Sequence, residues 1–409
     1  MAKIVILGAG FGGLQTALRL EKKLKNKSNI SITLIDKRDY HLFTPNLFEA
    51  ATTEEELVTE KQTKQALTLP LEKILRGKKI KFVKGNVLGI EPEKKRVLVD
   101  NKNVDYDYLV LALGSKTDFY NIEGVEKYAL VLKDLPDALR LRNNVAFAMQ
   151  SHRLDMHKQT IRLVVAGGGY TGVELVGELK GLVDFLAWEN NYPREKVEIE
   201  VIEANPKLIF GADERLSRDA YIRLEDLNIR IRLSSKVVKV GQHLIELDSG
   251  DRLTYDVLVW TAGVKACDCL AQMPVDAKGR IKVNGMFQVE NHHNIFALGD
   301  IACIMGQNGY PVPATAQDAI DQAKYLAYAL PYVMSNQRPP KPYKSIRHGF
   351  IVNIGGKWAI FSHHSFYFAG FLAFILDKLA HLRYYLSLMG FWKALKCVIF
   401  QTEIYSRND

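Results

Sequence analysis

Two short stretches of the chain have the residue types and the spacing needed to hold a dinucleotide. Residues 4–13 read IVILGAGFGG and residues 164–179 read VVAGGGYTGVELVGEL, so an apolar run leads into G-x-G-x-x-G in each. The glycines of the two turns are Gly8, Gly10, Gly13, Gly167, Gly169 and Gly172. Because no Cβ blocks the approach, backbone N–H groups and the positive end of the next helix can hold a pyrophosphate. The pattern predicts two bound dinucleotides, or one held twice.

An acidic residue follows each glycine turn at the end of the next apolar run. ISITLIDKRD places Asp36 there, and VEIEVIEANP places Glu203 at the equivalent position. A carboxylate at that point accepts hydrogen bonds from the ribose hydroxyls and repels a 2′-phosphate. We therefore expect the second site to prefer NADH over NADPH. A lone glycine turn is often only a turn, but two turns with their acids favour the ligand interpretation.

An internal repeat indicates the elements that position these residues. YDYLVLALG ends at Gly114 and YDVLVWTAG ends at Gly263, and a third such ending, NIFALGDIA, follows. This pattern predicts an α/β fold with two Rossmann-like dinucleotide-binding domains, the second inserted in the first. The period-2 segments KIKFVKGNV and KRVLVD predict antiparallel strands packed on these domains. The expected boundaries are 1–115 and 264–330 for the first domain, 116–263 for the second, and 331–409 for a C-terminal region.

Composition narrows the class of protein. The 409 residues are 47% hydrophobic and 25% charged, which is typical of a globular chain of two or three domains. The net charge of +9 suggests an anionic surface as partner, whereas no zinc-finger or RNA-recognition signature supports nucleic acid. Four cysteines without C-x-x-C suggest neither a disulfide framework nor a redox dithiol, so Cys267 and Cys269 are expected to be small buried hydrophobes. No metal site is expected. The charged stretch 52–65 favours a solvated helix or flap.

The last part of the chain is rich in apolar and aromatic residues. SFYFAGFLAFILDKLAHLRYYLSLMGFWKALKCVIF, residues 365–400, contains no run of 18 apolar residues, and charged residues such as Asp377 and Arg383 interrupt it. It predicts two amphipathic helices, joined near Gly390, that lie in a membrane interface with Lys393 and Lys396 at the headgroups. A pair of buried core helices or dimer-interface helices is the alternative.

These motifs resemble those of the two-dinucleotide flavoprotein oxidoreductases, which have a glutathione-reductase-like fold. In that family FAD occupies the first domain and NAD(P)H the second. Asp300 in ALGD is similar to the acid that bonds the flavin's ribityl chain, although an N-cap is an alternative role. Residues 36–51, DKRDYHLFTPNLFEAA, lack the cysteines that disulfide reductases and sulfide:quinone reductases require.

Within that family the chain resembles the type II NADH dehydrogenases, the non-pumping NADH:quinone oxidoreductases. The matching motifs are A-Q-x-A at 316–319 with Gln322 beyond it, DKRDYHLFTPNLFEAAT, GGGYTGVELVGEL and IGGKWAIF with the tail. The family usually has a glutamine pair where this chain has Asp321 and Gln322. The resemblance implies FAD-dependent oxidation of NADH, two-electron reduction of a membrane quinone and a place in respiratory electron transport. It also implies a peripheral membrane protein on the cytoplasmic face of the inner or plasma membrane, anchored by the C-terminal helices.

The resemblance assigns catalytic and cofactor-binding roles to individual residues. Glu174 and Gln317 would be catalytic. The first would lie between nicotinamide and flavin, where it either orients the nicotinamide or relays a proton, and the second would lie at the quinone. Without it, Glu174 would be a carboxylate that complements the helix dipole in the first turn, and Gln317 a polar residue on a helix surface. Residues implied to contact FAD are Gly8, Gly10, Phe11, Gly12, Gly13, Asp36, Lys37, Val87, Gly114, Asp300, Ala316, Gln317 and Lys378. Residues implied to contact NADH are Gly167, Gly169, Tyr170, Gly172, Glu203 and Gly263.

Two other functions remain open at this point. One is a soluble flavin-dependent NAD(P)H reductase of a protein or small-molecule acceptor, which the aromatic tail disfavours. The other is a non-catalytic flavoprotein that senses NADH through a change of assembly. A homodimer is also left open.

Overall fold

The computed structural model describes residues 1–27, 29–100, 102–154, 160–270, 272–276, 278–307, 309–346 and 348–408. The helices, in chain order, are α1 (Phe11–Leu24), α2 (Leu47–Thr52), α3 (Glu60–Leu67), α4 (Leu71–Leu75), α5 (Val125–Tyr128), α6 (Leu135–Leu154), α7 (Tyr170–Glu189), α8 (Glu214–Asp226), α9 (Ala316–Val333), α10 (Phe371–Leu386) and α11 (Phe391–Tyr405).

The strands, in chain order, are β1 (Ala2–Leu7), β2 (Ile30–Asp36), β3 (Tyr40–Leu42), β4 (Thr68–Pro70), β5 (Ile80–Lys84), β6 (Val87–Glu91), β7 (Arg96–Val99), β8 (Lys102–Asp105), β9 (Tyr108–Leu111), β10 (Lys116–Thr117), β11 (Ile161–Ala166), β12 (Val197–Ile202), β13 (Arg230–Arg232), β14 (Val237–Gly241), β15 (Leu244–Leu247), β16 (Arg252–Thr254), β17 (Val257–Trp260), β18 (Val264–Lys265), β19 (Ile281–Lys282), β20 (Ile295–Ala297), β21 (Ala302–Cys303), β22 (Phe350–Asn353), β23 (Ala359–His363) and β24 (Phe366–Gly370).

The chain divides into two compact units, each assembled from separate segments. Unit 1 contains Met1–Leu42, Leu69–Lys116 and Val264–His348. Unit 2 contains Phe43–Thr68, Thr117–Gly263 and Gly349–Asp409.

The core of unit 1 is a five-stranded parallel sheet in the order β20-β9-β1-β2-β5. The NIFALGDIA segment lies in this sheet, because β20 pairs with β9. KIKFVK was expected to be an antiparallel strand, which is wrong: β5 is the parallel edge strand, paired with β2. An edge strand faces solvent on one side, so its alternation resembles that of an antiparallel strand. KRVLVD does lie in an antiparallel sheet, as β7 between β6 and β8.

Unit 2 repeats the same plan with a four-stranded parallel sheet in the order β13-β12-β11-β17. A second sheet, β14-β15-β16, is antiparallel. A third antiparallel sheet, β22-β23-β24, comes from the C-terminal part of the chain. The charged stretch 52–65 also belongs to unit 2, where α3 begins with a capping box between Thr59 and Gln62.

The C-terminal helices are core elements of unit 2 on one face. Their large buried side chains are Phe374, Tyr384, Tyr385, Val398, Ile404 and Tyr405. Phe43 lies against the rings of Tyr384 and Tyr385, with centroids 5.7 and 5.2 Å away. On this face the helices are buried core elements, as in the alternative that the sequence left open. The join at Gly390, which caps α11, lies where the sequence predicts it. In the part of the chain that the structure describes, no helix is long and apolar enough to cross a bilayer.

The cysteine expectation also needs correction. Cys267 and Cys269 are half-buried and joined by a disulfide bond, with their Cα atoms 5.5 Å apart. This separation lies within the range that a disulfide requires, so a C-x-C spacing can form the bond without C-x-x-C.

Candidate functional site

The glycine turn of unit 1 forms an open cradle at the start of α1. Gly8 has φ +98°, and a Cβ there would lie 2.2 Å from the carbonyl oxygen of Ala112. A Cβ on Gly13 would lie 1.9 Å from the oxygen of Gly8, so these glycines let strand and helix pack closely. Gly10, which precedes the helix, has nothing within 4 Å of its Cβ position. The cradle therefore has room for a phosphate at a helix N-terminus.

Asp36 completes this cradle from the end of β2. Its Oδ2 accepts from the backbone N–H of Ala9 at 2.7 Å, and its Oδ1 accepts from that of Arg38 at 2.8 Å. His41 lies below the turn, with Nδ1 2.9 Å from the oxygen of Ala9, and its ring contacts that of Phe11. Burial lowers the pKa of His41 to about 4, so the imidazole is neutral at pH 7. The turn is thus fixed from two sides before any ligand binds.

The ALGD motif and the start of α9 also lie in unit 1. Ser115 Oγ donates to Asp300 Oδ2 at 3.0 Å. The backbone N–H of Gly299 donates to Oε1 of Gln322 at 2.7 Å, and Gln322 is almost fully buried. The helix begins at Ala316, with Thr315 as its N-cap. Gln322 therefore holds the ALGD turn in place.

The other residues that the sequence assigns to FAD are dispersed in unit 1. Lys37 is exposed directly after Asp36, and Val87 is half-buried at the start of β6. Gly114 follows β9 with φ +68°. Gln317 and Ala316 are half-buried in the first turn of α9. Gly12 packs against Leu298, because a Cβ there would lie 2.3 Å from its Cδ1.

Unit 2 carries the same cradle a second time. Gly167 has φ +116°, and a Cβ on Gly172 would lie 1.8 Å from the oxygen of Gly167. Gly169, which precedes α7, has nothing within 4 Å of its Cβ position. Tyr170 opens the helix with its ring stacked on that of Phe350, at a centroid distance of 5.3 Å.

Glu203 occupies the position in unit 2 that Asp36 has in unit 1. Its Oε2 accepts from the backbone N–H of Gly168 at 2.6 Å. Its Oε1 accepts from the backbone and side-chain nitrogens of Asn205 at 2.8 and 2.5 Å. On the far side of the turn, Tyr120 donates to the oxygen of Ala262 at 3.3 Å and packs over Gly263. Both acids thus bond the middle residue of their glycine turn, which is the geometry of a dinucleotide site.

A buried polar cluster lies elsewhere in unit 2. Lys378 Nζ is 3.0 Å from Glu49 Oε1 and 3.3 Å from Asp377 Oδ2. His381 Nε2 is 3.4 Å from Asp377 Oδ1. Burial raises the pKa of Asp377, but the charge of Lys378 and hydrogen bonds from Lys378 and Asn353 outweigh it and hold the pKa below its usual range. Burial lowers the pKa of His381 to about 4, so the ion pairs of the cluster are those of Lys378.

Glu174 faces this cluster from α7. It is the fifth residue of the helix, so the expectation that it lies in the first turn is wrong and the helix dipole explains it less well. The residue is partly exposed, but its carboxyl group is enclosed by protein. Burial, and then the negative charge of Asp377, raise the pKa of Glu174 well above its usual value, although the backbone of Asn353 donates to it. The raised pKa favours the protonated form of this carboxyl group.

Asp321, which stands where the resembling family has glutamine, pairs with His348 in unit 1. Both side chains are largely buried. Asp321 therefore fixes the segment at the end of unit 1, and Gln322 retains the contact with the ALGD turn.

Sequence reasoning missed several residues of these sites. His41, Ser115, Glu49 and Asn353 have contacts that only folding creates, since their partners are distant in the chain. His41 and Glu49 do lie within the motif DKRDYHLFTPNLFEAAT, which was the available signal.

Comparisons with known proteins agree with this geometry. A family model described as pyridine nucleotide-disulphide oxidoreductase matches residues 2–323. A type II NADH:quinone oxidoreductase of Staphylococcus haemolyticus is 28% identical over 360 residues, covering 86% of this chain and 87% of the relative. A probable NADH dehydrogenase of Dictyostelium discoideum is 30% identical over 402 residues, covering 93% of this chain and 85% of the relative.

Among solved structures, NDH2 from Plasmodium falciparum in complex with NADH has a TM-score of 0.85 and 22% sequence identity, covering 99% of both chains. That likeness shows the α/β fold of this class. With two dinucleotide cradles, their buried acids and a family match over most of its length, the chain belongs to the pyridine nucleotide-disulphide oxidoreductase family and, within it, to the type II NADH:quinone oxidoreductases.

Proposed function

We propose that this protein oxidises NADH through bound FAD and passes two electrons to a membrane quinone, without pumping protons. The observation that carries the proposal is the repeated cradle, in which Ala9 bonds Asp36 in unit 1 and Gly168 bonds Glu203 in unit 2. Relatives of the type II class support the quinone as acceptor.

The unit 1 cradle fits FAD. The open space at Gly10 receives the pyrophosphate at the N-terminus of α1, and Asp36 bonds the adenosine ribose. Asp300, held by Ser115, bonds the ribityl chain. The other residues of unit 1 that the resemblance assigns to FAD are Phe11, Gly12, Lys37, Val87, Gly114 and Ala316. When bound, FAD supplies the redox chemistry by accepting a hydride and giving two electrons to the quinone.

The unit 2 cradle fits NADH in the same way. Gly169 leaves space for the pyrophosphate, and Glu203 bonds the adenosine ribose. Tyr170 and Gly263 border the nicotinamide half. The alignment that these contacts provide lowers the entropic part of the barrier to hydride transfer.

Glu174 of unit 2 and Gln317 of unit 1 are each assigned a role in quinone reduction. The reaction consumes one proton beyond the hydride, because NADH, a proton and a quinone yield NAD⁺ and a quinol. The raised pKa of Glu174 favours its protonated form, which suits it to supply this proton. Gln317 carries an amide that can bond a quinone carbonyl. Lys378, whose ammonium group is held by Glu49 and Asp377, is the residue of the tail that the resemblance assigns to the flavin.

The outer face of the C-terminal helices binds an anionic membrane. Exposed apolar side chains on α10 and α11 are Phe371, Leu372, Ile375, Leu379, Leu386, Phe391, Trp392 and Ile399. Arg383, Lys393 and Lys396 are exposed beside them, and each basic group near an anionic leaflet adds about 1 kcal/mol. The buried face holds the helices in unit 2, while the exposed face meets lipid at the cytoplasmic side of the inner or plasma membrane. A homodimer formed through this face is the competing arrangement.

Separating the two half-reactions tests the catalytic assignment. Glu174→Gln and Gln317→Ala should keep bound FAD and its bleaching by NADH in a stopped-flow experiment, yet slow reoxidation by a soluble quinone at least about tenfold. Glu195→Gln and Gln337→Ala, both exposed, are the matched controls. Loss of FAD from either active-site variant would show a structural role. Failure of the wild type to reduce any quinone would favour the soluble reductase or the NADH sensor.

A matched tryptophan pair tests the membrane face. Trp392 is 73% exposed on α11 and Trp188 is 75% exposed on α7, so both offer similar free surface. Trp392→Ser should weaken sedimentation with anionic liposomes, whereas Trp188→Ser should not. Equal effects would argue against a membrane role for the tail, and a loss of dimers in sedimentation velocity on Trp392→Ser would indicate the homodimer instead.

A further inference from the structure

The loop between β12 and α8 is pinned over the glycine turn of unit 2. Asn205 bonds Glu203 at one end, and the backbone N–H of Ile209 donates to the oxygen of Gly168 at 2.7 Å at the other. Leu208 is buried beneath, so close that a Cβ on Gly168 would lie 2.7 Å from its Cδ2. These contacts hold residues 205–209 beside the carboxylate that receives the adenosine ribose.

Lys207 lies between the two pinned points. Its Cα is two residues from that of Asn205 and two from that of Ile209, and therefore within about 7.6 Å of each. A cation in the loop after the ribose-binding acid is the device by which such folds accept a 2′-phosphate. In this chain, however, the ammonium group of Lys207 bonds the carboxylate of Glu214, the first residue of α8.

Another cation near Glu203 is also engaged by a carboxylate. Arg232, whose backbone oxygen accepts from the N–H of Glu203, has its Nε 2.8 Å from Glu200 Oε1. The ribose end of the site therefore presents the negative charge of Glu203, while Lys207 and Arg232 are each paired with another acid.

We infer that Glu214 is a specificity-determining residue, which enforces NADH over NADPH by holding Lys207 away from the 2′ position of the nucleotide. This inference deepens the proposed function and rests on its assignment of NADH to unit 2. Glu214 acts through Lys207 and does not itself contact the nucleotide. Two acids thus set selectivity: Glu203 by repelling a 2′-phosphate, and Glu214 by withholding its counter-charge.

The expected effect is modest, because the side chain of Glu214 is 83% exposed and that of Lys207 28% exposed. An ion pair of this kind is worth about 0.2–1 kcal/mol. In a Glu203→Gln background, Glu214→Gln should therefore lower the KM and the Kd for NADPH by about 1.4- to 5-fold. The gain in affinity for NADPH should shrink as salt rises from 0.05 to 0.5 M, because salt screens the new ion pair between Lys207 and the 2′-phosphate.

The test uses full-length FAD-loaded protein and compares Glu203→Gln with Glu203→Gln/Glu214→Gln. NADPH binding is followed by its fluorescence in the presence of reduced flavin and without quinone, so the result does not depend on quinone reduction. Absence of NADH:quinone turnover in the wild type would overturn the proposed function alone.

Two further variants complete the test. Glu225→Gln, an exposed acid on the same helix, removes the same charge and should leave the affinity for NADPH unchanged. Adding Lys207→Ala to the double variant should abolish the gain. The inference is overturned if Glu214→Gln does not improve NADPH binding, if Glu225→Gln improves it equally, or if the gain survives without Lys207.

Discussion

Replacing Lys378 by methionine tests whether the buried cluster of unit 2 depends on its ammonium group. That group lies 3.0 Å from Glu49 and 3.3 Å from Asp377, and the three side chains are 9–11% exposed. Removing one partner of a buried ion pair costs about 3–5 kcal/mol, because an uncompensated charge stays inside the protein. At about 2–4 °C per kcal/mol, the melting temperature should fall by roughly 6–20 °C at pH 8.

The loss should depend on pH with a defined sign. Without the ammonium group, burial raises the pKa of the two carboxyl groups in the folded state above the value of about 4 in the unfolded chain. The folded variant then binds more protons than the unfolded chain, so its stability rises as pH falls. The loss of stability of Lys378→Met relative to wild type should therefore be smaller at pH 5 than at pH 8.

Thermal unfolding of the FAD-loaded protein, followed by far-UV circular dichroism, measures both effects. Lys396→Met is the matched control, since Lys396 is exposed on α11 and its replacement should change stability by less than about 0.5 kcal/mol. A Lys378→Met protein as stable as that control at pH 8, with no pH dependence, would refute the reasoning.

Three further predictions concern the nucleotide, the tail and a surface acid pair. Glu203→Gln should narrow or invert the preference for NADH in steady-state assays, and a wild type that uses NADPH equally well would contradict the ribose assignment. Ending the chain at Gly370 removes about six large buried side chains worth roughly 1.5–3 kcal/mol each, so the product should aggregate without FAD, and a soluble, flavin-loaded product would disprove this. Burial and a hydrogen bond to Glu56 raise the pKa of Glu189 to about 7, so wild-type stability should fall between pH 4.5 and 7 as this proton leaves. In Glu189→Gln the melting temperature should depend less on pH between pH 4.5 and 7.

The glycine turns and their acids could be predicted because their requirements are local. A positive φ at Gly8 and Gly167 and close contact at Gly13 and Gly172 each demand a residue without a side chain. Such requirements can be recognised in the sequence as glycines at fixed positions. The fold class and the break at Gly390 follow from equally local signals.

The spacing of apolar residues did not show which element a strand pairs with or which face of a helix is buried. KIKFVK alternates because β5 is an edge strand, and alternation does not distinguish parallel from antiparallel pairing. The tail is apolar on more than one face, and the sequence does not say which face meets protein. Packing decided that question: Tyr385 and Tyr405 are buried, whereas Leu372 and Trp392 are exposed.

By itself, the sequence determined two dinucleotide cradles, their acids and the family to which the chain belongs. The tertiary structure alone decided which distant charges meet. Glu49 and Lys378 are 329 positions apart, and no periodic pattern links them. Burial of Glu174 itself, and then the negative charges of Asp377 and Glu49, raise the pKa of that carboxyl group. The physical reason is that a pKa depends on desolvation and on neighbouring charges, which exist only once the chain has folded.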